Sequence, residues 1–222
     1  MPIFLAAFSD ARKCAKINTM PSIYQLKPAF QNLLRPQVRV LAAAGVTPNQ
    51  VTLLALGLSV VAGALIVLFP QSYWPLLLVP LVLLKRMALN AIDGMLAREH
   101  AMRSALGGFL NELGDVLSDA VLYLPFALLA GVAPLPVVLA VLLAIIGEMT
   151  GVIAQALGAS RRYDGPMGKS DRAFVFGVLG LVLGCGVAPA PWFDWVMAAV
   201  ALLGALTIVN RMRNGLKELA AK

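Results

Sequence analysis

The side chains best suited to chemistry lie between Asn90 and Asp119, in the stretch NAIDGMLAREHAMRSALGGFLNELGDVLSD. Asn90 and Asp93 are three residues apart, whereas Asn111, Asp115 and Asp119 follow one another at intervals of four. Both spacings place their side chains on one face of a helix. Oxygen ligands that converge from two helices suit Mg²⁺ or Mn²⁺, which also bind the phosphate oxygens of substrates. The pattern therefore predicts a divalent metal site for phosphate chemistry.

The rest of the chain has the composition of a membrane protein. Its 222 residues are 60% hydrophobic and 13% charged, and the mean hydropathy is +0.84. Apolar runs of about 20 residues, enough to cross about 30 Å of hydrocarbon, recur along it. Carboxylates inside such runs are costly, which makes the acidic cluster a functional-site hypothesis. We predict an all-α polytopic membrane protein with six transmembrane helices, at about 49–69, 73–97, 105–131, 134–157, 171–188 and 191–212.

The positive charges fall on one side of this arrangement. All 18 Lys and Arg residues lie before the first span, towards the junctions of spans two with three and four with five, or at the C-terminal end. The connections near 70–73, 132–134 and 189–191 contain none. The positive-inside rule then predicts an integral inner (cytoplasmic) membrane protein with both termini in the cytoplasm. The net charge of +7 indicates contact with anionic lipids rather than nucleic acid, because the sequence has no basic face with interleaved aromatic residues.

Spans two and three carry the polar stripes. If they form an antiparallel hairpin through the turn near His100, the two stripes face each other just inside the cytoplasmic boundary. Gly94 and Ala97 have almost no side chain, so another group can approach the backbone closely, and Arg98 ends the helix. The sequence thus predicts a polar site on the cytoplasmic side, between helices two and three.

These residues also resemble a known signature. The arrangement Asn90-x2-Asp93-Gly94-x2-Ala97-Arg98-x8-Gly107-x3-Asn111-x3-Asp115 is similar to D-x2-D-G-x2-A-R-x8-G-x3-D-x3-D, the pattern of the CDP-alcohol phosphotransferase (phosphatidyltransferase) family. Every spacing is kept and six of the eight fixed positions match. The segment GVTPNQVTLL, which leads into the first span, resembles the start of the family's helical domain. The likeness therefore covers most of the chain.

The resemblance implies an activity and a set of roles. In the family, a phosphate-linked lipid group passes from a CDP-alcohol, most often CDP-diacylglycerol, to a hydroxyl acceptor, and CMP leaves. Four aspartates hold two divalent metals, and the fourth also acts as general base. The resemblance further implies a homodimer. Carried over to this chain, the resemblance makes Asp93 a metal ligand and Asp115 both a ligand and the catalytic base. Arg98 would contact the nucleotide or help to hold the hairpin. The residues that would leave room for the nucleotide are Gly94, Ala97 and Gly107.

The chain departs from the pattern at two metal positions, where Asn90 and Asn111 stand in place of aspartates. Amide oxygens still bind hard cations, but with less electrostatic attraction. The metals could bind only with the anionic substrate, Asp119 or Glu112 could serve as substitute ligands, or catalysis could be lost. An inactive relative and a cation-dependent membrane carrier stay open as alternatives. A carrier would be expected to show interrupted helices or two related halves.

Two further polar sites each leave two readings open. Lys169 and Arg172 lie in the loop into span five, where they could clamp a phosphate of the acceptor or of a lipid, or simply anchor the loop on the cytoplasmic side. Glu148 and Gln155 are seven residues apart in span four, and they could line a polar cavity or make hydrogen bonds between helices.

Three regions are predicted along the chain. Residues 1–20 form an N-terminal extension that need not be ordered, 21–46 an amphipathic segment at the membrane interface, and 47–222 the six-helix transmembrane catalytic domain. The interfacial segment has apolar residues at helical spacing, although Pro36 is expected to break or kink the helix. A solvated linker is the alternative. Thr47, Pro48 and Gln50 predict a capped start for the first span.

Overall fold

The computed structural model describes residues 23–222, with side chains from residue 29 onwards. This part of the chain is helical and contains no strand, which confirms the all-α class. The predicted extension at residues 1–20 lies outside the described residues. The helices are α1 (Ile23–Ala43), α2 (Pro48–Leu68), α3 (Trp74–Glu99), α4 (Ala105–Tyr123), a 3-10 helix (Leu124–Leu128), α5 (Pro134–Ala156), α6 (Lys169–Gly184) and α7 (Pro191–Ala220).

Four of these helices, α2, α3, α5 and α7, are long and apolar enough to cross a membrane. The polytopic membrane class is therefore confirmed. Each of the other two predicted spans corresponds to a helix as well. However, α4 carries Glu112, Asp115 and Asp119, and α6 has only 16 residues. Six crossings stay a prediction.

Helix α1 and the first turn of α2 test two local expectations, of which one is confirmed and the other is corrected. Thr47 and Gln50 form the predicted capping box, in which the Thr47 N–H donates to Gln50 Oε1 at 2.9 Å and the Gln50 N–H donates to Thr47 Oγ1 at 3.4 Å. A break at Pro36 was wrong, because α1 continues to Ala43. Val38, two residues after the proline, is fully buried against Met95 and Leu96 of α3. This packing offsets the missing hydrogen bond.

Glycines set the close approach of neighbouring helices. A Cβ at Gly63 of α2 would overlap the Val121 carbonyl of α4, with the carbonyl carbon only 2.9 Å away. A Cβ at Gly180 of α6 would lie 2.8 Å from Val79 Cβ of α3. Small residues at such crossings are typical of helix packing in membranes.

Helix α2 packs against both α3 and α4, which do not pack closely on each other. Helix α6 covers the other side of α3, and α5 packs along α7. The chain neighbours α3 and α4 are therefore held apart by a third helix. This separation leaves room for side chains to meet between them.

We expect opposite effects from the same substitution at two positions of α2. Gly63→Ala should lower the midpoint of thermal unfolding, because overpacking costs about 1–3 kcal/mol. Gly57→Ala should raise it slightly, because no atom lies within 4 Å of a Cβ there and alanine is favoured over glycine in a helix by about 0.5–1 kcal/mol. Circular dichroism of the purified protein in detergent measures both. Shifts in the same direction would contradict the close α2 to α4 contact.

Candidate active site

Side chains of α3 and α4 meet across the gap between the two helices. The Asn90 amide nitrogen donates to Asp115 Oδ1 at 3.1 Å. Asp93, which is only 4% exposed, accepts a hydrogen bond from Thr52 Oγ1 of α2 at 2.8 Å. Asp93 lies one turn after Asn90 on the same face of α3, so it is on the side of the helix that contacts Asp115. Three of the residues predicted as metal ligands thus come together, and α2 helps to position one of them.

The remaining residues of the signature lie around this centre. Asn111 is exposed, one turn before Asp115 on α4, and lines the same cavity as Asp115. Arg98 is exposed and its guanidinium lies over Gly94, 3.0 Å from where a Cβ would stand. Gly107 belongs to the first turn of α4, where its N–H donates to Ser104 Oγ at 3.0 Å. A Cβ at Gly107 would lie 2.9 Å from Asn49 Oδ1 of α2, so the position has no room for one without a shift.

Lys169, the first residue of α6, forms an ion pair with Asp115. The loop before it is held in place by two hydrogen bonds. The Met167 N–H donates to Thr207 Oγ1 of α7, and the Gly168 N–H donates to Asp171 Oδ2, both at 2.9 Å. The predicted phosphate clamp residue therefore contacts the predicted catalytic base.

Asp119 is buried and both of its carboxylate oxygens are engaged. Arg86 of α3 donates to one oxygen at 2.9 Å, and Arg172 of α6 donates to the other at 3.1 Å. All three side chains are buried. A role for Asp119 as a metal ligand stays a prediction, and these contacts favour a role in holding α3, α4 and α6 together.

Glu148 of α5 is the centre of a cluster of arginines. Its carboxylate contacts Arg172 at 3.2 Å, Arg161 at 3.2 Å and Arg211 of α7 at 3.3 Å. Glu148 therefore lines a polar cavity and also connects several helices. Gln155, the other polar residue predicted on this face of the span, is exposed. Arg86, Arg161 and Arg211 were not singled out from the sequence. The sequence did contain one signal for these arginines. Glu148 is an acidic residue inside a strongly apolar span, and such a residue requires a basic partner in the interior.

Arg161 brings the loop after α5 into the same cluster. It donates to both oxygens of Glu112, at 2.8 and 3.1 Å, and its guanidinium stacks 5.0 Å from the centre of the Tyr163 ring. Burial alone would lower the pKa of Arg161, but the hydrogen bond and charge of Glu112 raise it above its ordinary value. The Arg161 guanidinium can lie here only because residue 151 is a glycine, since a Cβ on Gly151 would overlap it.

Two cavities adjoin the site. A polar cavity of about 340 Å³ is lined by residues of α4, α6 and the loop between α5 and α6, together with Glu148 and Arg211. An apolar groove of about 600 Å³ lies between α3 and α6. Asp119, Lys169 and Ser170 line both. A ligand with a polar head and an apolar tail could therefore occupy the two spaces together.

The donor set determines which metal the site could take. Two carboxylates, Asp93 and Asp115, and two amides, Asn90 and Asn111, all offer oxygen, which suits a hard cation such as Mg²⁺ or Mn²⁺. Within residues 29–222, no group of three or more His, Cys, Asp or Glu side chains is arranged to hold a metal. The residues fit a weakly charged cation site that bound phosphate would complete.

The fold and the site define an all-helical membrane protein with a charged cavity between its helices, which Asp115 of α4 lines, and a buried carboxylate, Asp93, on α3. The chain belongs to the CDP-alcohol phosphatidyltransferase family, whose sequence model matches residues 45–212. It is therefore a CDP-alcohol phosphatidyltransferase of phospholipid synthesis. The resemblance drawn from the signature is confirmed.

Relatives cover nearly the whole chain. It is 45% identical to the inner membrane protein YnbA of Escherichia coli over 193 residues, which are 87% of this chain and 96% of that protein. It is 27% identical to the phosphatidylinositol phosphate synthase of Mycolicibacterium smegmatis over 211 residues, 88% of this chain and 90% of the relative.

Solved structures share the fold. The phosphatidylinositol phosphate synthase of Mycobacterium tuberculosis with CDP-DAG bound superposes with a TM-score of 0.67 at 22% identity, covering 81% of this chain and 92% of that one. The same enzyme in complex with manganese and citrate also gives 0.67 at 22% identity, covering 82% and 88%. The likeness places this chain's helices in the arrangement of those enzymes.

We expect Asp119→Asn to lower the thermal stability strongly, because it leaves Arg86 and Arg172 buried beside a neutral group. Breaking a buried ion pair from one side costs about 3–5 kcal/mol. Glu99→Gln is the matched control, since it removes the exposed partner of Arg35 and should change the stability little. Thermal unfolding in nanodiscs compares the two. Equal midpoints for both variants would contradict a structural role for the buried pair.

Proposed function

We propose that the chain transfers the phosphatidyl group of CDP-diacylglycerol to a small polar hydroxyl compound, with CMP as the other product. The observation that supports this reaction is the place of Asp115 in a polar cavity that meets an apolar groove at Lys169. The groove suits a lipid tail, and the polar cavity suits a small polar acceptor. The relatives named phosphatidylinositol phosphate synthases and the related structure with CDP-DAG add support.

The groove between α3 and α6 suits the lipid tail. Its walls include Leu83, Leu84, Val178 and Leu181, and its polar end includes Arg86, Asn90 and Lys169. Within the described residues, Nε and one terminal nitrogen of Arg86 have no hydrogen-bond partner. Buried guanidinium N–H groups without partners are strong donors for phosphate oxygens. We infer that the acyl part lies along the groove and the diphosphate lies at this end.

The nucleotide is proposed to lie along the small residues of the signature. Gly94 and Ala97 let a flat base or a ribose approach the backbone of α3. The space beside Gly107 is taken by Asn49 and Ser104, so this glycine instead lets α4 approach α2. The exposed Arg98 guanidinium lies beside Gly94, where it can contact the nucleotide. This position leaves the phosphate next to Asp93 and Asp115.

Asn90, Asp93, Asn111 and Asp115 are the residues that would hold Mg²⁺ or Mn²⁺. When bound, a divalent cation would neutralise the diphosphate and the leaving CMP. Asp115 accepts the proton of the acceptor hydroxyl as the acceptor oxygen bonds to the phosphorus of the phosphatidyl group. The bond from that phosphorus to the bridging oxygen breaks, and CMP leaves with the electron pair.

The polar cavity is the proposed acceptor site. It opens beside Asp115 and is lined by Arg161, Tyr163, Arg172 and Arg211. Lys169 and Arg172, the predicted clamp, are placed to orient an anionic or polar group of the acceptor. A small hydroxyl compound in this cavity reaches the catalytic carboxylate from the side opposite the lipid groove.

We further propose that all six apolar helices cross the inner membrane and that both termini lie in the cytoplasm. The acids of α4 are each paired with a basic side chain, which reduces the cost of placing that helix in the bilayer. The basic residues at the start of α6 and the end of α7 lie at the same end of the bundle as the site. The homodimer that the resemblance implies stays a prediction.

Loss of either carboxylate should abolish transfer. We expect Asp93→Asn and Asp115→Asn each to lower the rate of CMP release from CDP-diacylglycerol by at least about 100-fold, since a ligand or the general base is removed. Asp194→Asn is the control of the same chemistry, because Asp194 accepts from the Ala133 N–H at the far end of the bundle. That variant should keep its activity.

The assay uses purified protein in nanodiscs with Mn²⁺ and a panel of polyols, their phosphates and serine. The panel identifies the acceptor and separates an enzyme from an inactive relative. Activity that persists in both active-site variants would contradict the mechanism. No CMP release with any acceptor would favour the inactive relative.

The proposed topology makes the two cysteines reporters of opposite sides. Cys185 is exposed at the end of α6, and Cys14 precedes the first span. In intact cells with a permeabilised outer membrane, an impermeant maleimide should label the Cys14→Ser variant, through Cys185, and should not label the Cys185→Ser variant. Both should be labelled after lysis. The reverse pattern would overturn the predicted orientation.

A further inference from the structure

The two asparagines of the signature change the charge of the site by two units. Positions 90 and 111 offer neutral amides where the family pattern has carboxylates. Two negative charges are thus missing, which is the charge that one divalent cation would balance. A site with one cation fewer keeps the electrostatic balance of the family pattern, whereas a second cation would face its neighbour with less compensation.

The contacts of the remaining carboxylates point the same way. The Lys169 ammonium contacts Asp115. Asn90 turns its amide N–H towards Asp115, so these two groups hold each other through a hydrogen bond. One Asp115 oxygen, Oδ1, therefore receives both a lysine and an amide donor. A first cation at Asp115 would displace the lysine, and a second cation would have to displace the Asn90 amide as well.

We propose that this site holds a single divalent cation and that the Lys169 ammonium provides the positive charge on the other side of the diphosphate. The inference rests on the proposed function, because it concerns the same site. Lys169 is suited to this role because it lines both the polar cavity and the lipid groove. An ammonium on a flexible chain can leave Asp115 and contact a phosphate oxygen when the substrate enters.

The number of bound cations tests the proposal directly. Mn²⁺ is titrated into the full chain in nanodiscs that contain CDP-diacylglycerol, and bound metal is counted by electron paramagnetic resonance. We expect one Mn²⁺ per chain with the spectrum of an isolated ion. The double variant Asn90→Asp/Asn111→Asp should bind two, with spectral coupling between them. Asn210→Asp/Asn214→Asp adds the same charge on α7, away from the signature, and should still bind one.

Lys169 variants test the second half of the proposal. Lys169→Met should bind Mn²⁺ at least about tenfold more tightly without substrate, because a competing positive charge next to Asp115 is removed. Lys169→Arg keeps the charge and should stay near the original affinity. Unchanged affinity in Lys169→Met would overturn the role of the lysine.

Two coupled Mn²⁺ ions in the unaltered chain, or none, would overturn the single-cation site. The same would follow from a second ion that fails to bind to a folded Asn90→Asp/Asn111→Asp variant. CMP release is followed in the same samples. One bound Mn²⁺ without any CMP release would count against the proposed reaction and leave the single-cation site in place, so the two failures are distinguishable.

Discussion

The structure depends on an alternating chain of buried charges. Arg86, Asp119, Arg172 and Glu148 contact one another in that order, and Glu148 also contacts Arg211. The five residues come from α3, α4, α6, α5 and α7. Each charge has an opposite neighbour, which is the condition under which ionised groups can remain in a low-dielectric interior. Five helices are therefore fixed relative to one another near Asp115, the proposed catalytic base.

Helix α2 provides the complementary apolar constraint. It contributes no charge to the site, but it lies against both α3 and α4 and holds Asp93 through Thr52. Gly63 and Gly114 let α4 approach it closely. Helix α2 lies between α3 and α4 and keeps them apart. Arg172 of α6 and Arg211 of α7 line the other side of the polar cavity. The cavity results from these two constraints together.

The features that could be predicted from the sequence are local ones. The spacing of Asp93 and Asp115 indicated one site, and Thr47 with Gln50 indicated a helix start, because both depend on helical periodicity within a few residues. The partners of Asp119 and Glu148 could not be predicted, because they lie between 13 and 63 residues away in the chain and depend on how the helices pack. Adjacency in sequence suggested an antiparallel hairpin in which the polar stripes of α3 and α4 face each other, but it gave no sign that α2 packs against both helices.

The ion pairs of α4 have a consequence for biosynthesis. Glu112 and Asp115 find their partners at Arg161 and Lys169, which the ribosome adds later than α4 itself. At about 5–20 residues per second, α4 leaves the ribosome seconds before these bases. A helix with unmatched acids does not settle readily into lipid. If α4 crosses the bilayer as we propose, its final placement waits for the segment from α5 to α6, and the order of translation governs assembly together with the finished contacts.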